Sequence, residues 1–104
     1  MMERDIRAVL DGLTLLVEDT KGASQLDAMR NYAAMMALCA DLRKAAAEYD
    51  GTWNITVVIG ELENHMAAVA GLFPTWDLPR DQHLTGARAA ISKLAMGTCF
   101  GQPV

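Results

Sequence analysis

Glu61 and His65 stand four residues apart, the step that puts two side chains on one face of a helix. A carboxylate and an imidazole so placed have the chemistry to hold a metal ion or relay a proton. A helical metal site built on the Glu-x-x-His step would need histidine at 64, where Asn64 stands, and no inner carboxylate is evident on the first or last helix. The pair therefore reads as a solvated Glu–His couple, and neither metal nor cofactor is expected. A second group is Trp76, Asp77, Arg80 and His83, around the loop with two prolines. Tryptophan and arginine dominate binding hot spots, so these four are the candidate binding surface. The competing assignment is structural: Trp76 plugs the end of the fold and an aspartate caps the next helix. The two cysteines, Cys39 and Cys99, lie in apolar-periodic segments and read as buried thiols. No nucleophile is paired with a base, and no glycine-rich phosphate loop occurs, so the chain is not read as an enzyme.

Three partial resemblances touch these residues. Gly60-Glu61-Leu62-Glu63 resembles one acidic half-motif of the all-helical nucleotide pyrophosphohydrolases, but no second acidic motif follows it. Trp53 sits as in the secreted helical hairpins whose turn carries Trp-x-Gly, but the third residue here is Ile55. His83-Leu-Thr-Gly-Ala-Arg-Ala-Ala-Ile-Ser-Lys-Leu-Ala-Met96 resembles the final helix of phage hairpin proteins that sequester cyclic nucleotide signals. It covers this segment alone, and Gly97 stands where those proteins usually carry tryptophan. What it implies is small-ligand sequestration, in a pocket between helices or at a dimer interface. That is the alternative function.

The elements that must position these residues are helical. Apolar residues three and four apart predict helices over about 2–19, 24–49, 52–73 and 80–100. Gly22 suits a left-handed exit from the first, and Ser24 with Asp27 caps the second. Thr52–Ile59 is β-branched and alternating, so a short strand at 52–59 pairing across a dimer is the alternative there. Pro74 and Pro79 break the chain before the last helix. The expectation is one all-α domain over 1–104, an antiparallel four-helix bundle. Gly60 and Gly71, like Gly86 and Gly97, are eleven residues apart, close to three helical turns. A glycine inside a helix costs about 1 kcal/mol against alanine, so close packing of the third and fourth helices is expected at these stripes.

Composition narrows the function. The 104 residues are 52% hydrophobic and 21% charged, with a net charge of −4. Nine scattered Lys and Arg make no basic patch, which argues against nucleic acid. The start, Met1-Met2-Glu3-Arg4-Asp5, carries acids where a signal peptide has bases, and no uncharged run reaches the ~18 residues of a membrane span. A cytoplasmic protein is expected. Tyr32–Ala40 has no charge at all. Met35 and Met36 are about 100° apart around the helix, so this segment is apolar on more than one side. Tyr32, Met35, Met36 and Cys39 are the candidate interface. The expected function is a small non-enzymatic interaction module, an inhibitor, adaptor or assembly factor, working as a homodimer that binds a protein partner.

Overall fold

The computed structural model describes residues 3–48, 52–72 and 78–95. They form four helices: α1 (Glu3–Thr20), α2 (Gln25–Ala46), α3 (Thr52–Val69) and α4 (Arg80–Ala95). α3 packs against α2 and α4, and α1 closes the bundle by touching α2 and α4. Residue pairings descend across neighbours. On α3 and α4, Glu61 meets Lys93 and His65 meets His83. On α1 and α2, Gly12 lies against Leu38 and Asp19 against Asn31. These pairs of helices run in opposite directions.

The predicted periodicity builds the core. Leu13 and Val17 of α1 meet Met35, Cys39 and Leu42 of α2, Ile55, Ile59, Leu62 and Met66 of α3, and Leu84, Ala87, Ile91 and Leu94 of α4. Thr52–Ile59 is helix, and no strand occurs among the described residues. The β-branched residues there have no partner strand, and Ile55, Val58, Ile59 and Leu62 instead fall on one buried helical stripe.

The turns are fixed by local chemistry. Gly22 adopts φ +80°, and Ala23 N–H returns to the Thr20 carbonyl at 3.0 Å. Ser24 is the N-cap of α2; its hydroxyl accepts from Asp27 N–H at 3.1 Å. α3 ends earlier than expected. Gly71, at φ +77°, is a C-cap, and what it lies close against is the Gln25 side chain of α2, not α4. Its N–H donates to the Ala68 carbonyl at 3.1 Å and Leu72 N–H to Ala67 at 2.9 Å, the paired bonds of a Schellman motif. The expected helix ends at residues 49, 73 and 100 lie outside the described residues.

One end of the bundle is laced together by polar side chains. Arg80 donates to the carbonyls of Thr20 (2.9 Å) and Ala23 (2.8 Å). A cation there complements the C-terminal dipole of α1. Asn31 donates to Asp19 and to the hydroxyl of fully buried Thr20, each at 3.0 Å. Gln25 donates to the Ala70 carbonyl at the end of α3.

Candidate functional site

The uncharged stretch of α2 divides into two faces. Met35 and Cys39 are wholly enclosed by the chain's own core, with Leu42 continuing the stripe. These two are therefore not surface residues, which corrects the expectation that they form an interface. A four-helix core needs them: they fill the space facing α1 and α3. Tyr32 lies half-buried at the edge of that core. Met36 is exposed. On the far side of the helix Leu26, Met29, Ala33, Met36, Ala37 and Ala40 all face solvent. Leu26 is 57% exposed, and Met29 and Met36 are each 38% exposed. Positions 26, 29, 33, 36 and 40 step by three and four, the spacing of a coiled-coil seam. The sequence carries this signal, but reading Tyr32–Ala40 as one block hid it.

Cys39 belongs to a polar contact between α2 and α3. One turn on, Arg43 donates through both terminal nitrogens to Glu63, at 2.7 Å and 2.5 Å. The Glu63 side chain is 11% exposed and that of Arg43 39%. This fork-to-fork geometry is the strong form of an ion pair. Burial pushes the Cys39 thiol from 9.0 up to about 12, and the nearby Glu63 carboxylate adds to that against the opposing Arg43. The thiol stays protonated and enclosed, the state in which cysteine is inert.

Of the proposed loop surface, Arg80 and His83 are described, and they contact different neighbours. Trp76 and Asp77 lie outside the described residues. Arg80 faces the α1–α2 turn, as above. His83 is buried on the inner face of α4, one turn further in, and faces α3. There its Nδ1 lies 3.1 Å from Nδ1 of His65, with the ring centroids 5.4 Å apart. Glu61 and His65 do share a helix face, but each is engaged across the groove, Glu61 with Lys93 at 3.3 Å and His65 with His83. No group of three His, Cys, Asp or Glu side chains suited to a metal occurs among the described residues.

Gly86 explains how the histidine pair fits. A Cβ built there would lie 2.5 Å from Nε2 of His65, 2.6 Å from Cε1 and 2.8 Å from Cδ2. The missing side chain is the space the imidazole occupies. α3 and α4 are close neighbours, as the glycines suggested, but Gly60 is not the cause: a Cβ there meets nothing within 4 Å. His65 titrates below its ordinary value of 6.5, chiefly because burial disfavours its charge and next because His83 lies beside it; Glu61 opposes the shift and Lys93 adds to it. Nothing in the sequence spacing announces this pair, since 65 and 83 meet only through the packing of two helices.

Comparison with protein families, with characterised proteins and with solved structures returns no match. No described helix is long and apolar enough to cross a membrane.

Proposed function

We propose that the chain is a protein-interaction module that acts as a homodimer through the outward face of α2, and not as an enzyme. The observation that carries this reading is the exposed seam Leu26–Met29–Ala33–Met36–Ala40 on a helix whose other face already fills the core. Contiguous exposed apolar surface of this kind marks interaction sites. The polar groups inside the bundle serve packing: Glu63 is tied to Arg43, and Cys39 is sealed as a neutral thiol.

The seam fits a second copy of itself. It spans about 21 Å, at 1.5 Å per residue. Two of its large residues, Leu26 and Met29, lie at one end; the other carries Met36 with the small Ala37 and Ala40. Two copies running antiparallel about Ala33 set Leu26 against Ala40 and Met29 against Ala37 of the partner. Large meets small at those two steps, Met36 falls opposite Arg30 of the partner subunit, whose aliphatic stem it can pack against, and the two helix dipoles oppose. A two-fold interface requires this kind of self-complementarity. Three large side chains per subunit make a small interface, so association in the micromolar range is expected. Methionine at two of the five seam positions adapts its shape readily, which also suits a surface that accepts a protein partner.

The test is a disulfide at the two-fold. Ala33→Cys in a Cys99→Ser background brings two thiols together if the seams pair as described, and buried Cys39 does not compete. Rapid formation of a covalent dimer under mild oxidation supports the reading. The control is Ala89→Cys on the exposed side of α4. Equal rates at 33 and 89 would overturn the pairing.

A further inference from the structure

We propose that the His65–His83 contact is a proton-sensitive clasp between α3 and α4, closed while the two rings share at most one added proton and forced open when both are charged. Two Nδ1 atoms 3.1 Å apart make a hydrogen bond only if one carries a proton and the other offers its lone pair. The neutral pair meets this with opposite tautomers. One added proton goes to Nε2 of the donating ring, which becomes a cation and donates more strongly through Nδ1. A second proton has to occupy the accepting Nδ1. Two N–H groups and two positive charges then face each other across the same gap, and the bond is lost.

The surroundings leave the rings little means of escape. His83 is 1% exposed, in the wall of the core. The backbone of Gly86 bounds His65 on the α4 side, within the space of one missing methyl. The charged groups around the pair are nearly balanced. Glu61 on α3 favours charge on His65, and Lys93 on α4 opposes it. Those two are themselves paired. Glu63 is held by Arg43 of α2, and Glu18 of α1 is held by Arg88 of α4 at 2.5 Å. Arg80 and Asp81, at the start of α4, are exposed to solvent. The bond itself is lost on the second protonation whatever charges surround it, because both facing Nδ1 atoms then carry hydrogen. The sign is consistent with the lowered proton affinity of His65. The unfolded chain takes up the proton first as pH falls below about 6.5, so the clasp's stabilisation is complete above that pH and is lost below it.

The test follows the imidazole nitrogens by NMR and amide exchange along α4 from pH 7.5 to pH 5, above the range where ordinary carboxylates titrate. At pH 7.5 a closed clasp shows one Nδ1–H and one Nε2–H tautomer. On acidification the amides of 83–91 should exchange at least tenfold faster, after correction for intrinsic rates, while those of 35–42 on α2 stay protected. His65→Asn keeps one ring and removes the second charge. It should abolish the acid-induced loosening: its own exchange between pH 7.5 and pH 5 should change less than threefold after the same correction. Two rings that titrate independently of each other, with no change in exchange, would refute the clasp. So would the same acid transition in His65→Asn.

Discussion

Gly86→Ala isolates the packing of α3 on α4 more cleanly than truncating a core residue. In an open helical position alanine gains up to about 1 kcal/mol over glycine. At Gly86 the new Cβ would stand 2.5–2.8 Å from three atoms of the His65 ring. The ring must move by roughly 1 Å to reach ordinary contact distance. That movement breaks the His65–His83 hydrogen bond, a loss of about 1 kcal/mol, and overpacking adds about 1–3 kcal/mol. The sum predicts a net destabilisation of about 1–3 kcal/mol, a fall in melting temperature of several degrees for a domain this size. In a His65→Ala background the obstacle is gone, and the same substitution should stabilise by up to about 1 kcal/mol. The two substitutions are therefore coupled by about 2–4 kcal/mol in a double-mutant cycle. Gly60→Ala, with nothing within 4 Å of its new Cβ, is the control and should stabilise in either background. Urea unfolding of the four variants and the Gly60 control measures all of these quantities. A coupling below about 0.5 kcal/mol, or a Gly86→Ala that stabilises as much as Gly60→Ala, would refute the reasoning.

Two further outcomes follow from the α2–α3 contact. Cys39 should resist thiol reagents at pH 8 in the folded chain and react promptly in urea; mass spectrometry that finds it labelled in the native state would contradict its enclosure. Arg43→Met should lower stability by about 1–2 kcal/mol in chemical denaturation, less than a fully buried pair would lose because the arginine is part-exposed, and adding Glu63→Gln should recover part of the loss.

Helices were legible because their signals are local. Ile6, Leu10, Leu13 and Val17 mark the inner stripe of α1 by spacing alone, and Ser24 caps α2 three residues before the N–H it accepts. α3 stops short of the expected 73 because the left-handed backbone of Gly71 is a stop signal as well as a close contact. The middle of α2, Tyr32–Ala40, is apolar on more than one side. Which methionine faces inward was not legible, because Met35 and Met36 are chemically identical, and only the placement of α1 and α3 distinguishes them. The histidine pair was invisible for a stronger reason. His83 stands near Trp76 and Asp77 in sequence, but it lies one turn inside α4, and its contact with His65 is decided by the face of that helix. Arg80, grouped with them, spends its guanidinium on the carbonyls of Thr20 and Ala23.

The claim that the outward face of α2 seats a second copy is tested most directly by sedimentation equilibrium of the wild-type chain over a range from low to high micromolar concentration, alongside Ala33→Glu. Ala33 is exposed in the single chain, so the glutamate leaves the fold intact and sets two carboxylates against each other at the two-fold. The wild type should rise with concentration from one chain mass to two, and Ala33→Glu should keep a single chain mass throughout. A wild-type chain that stays monomeric at high micromolar concentration, or an Ala33→Glu variant that dimerises equally well, would contradict it.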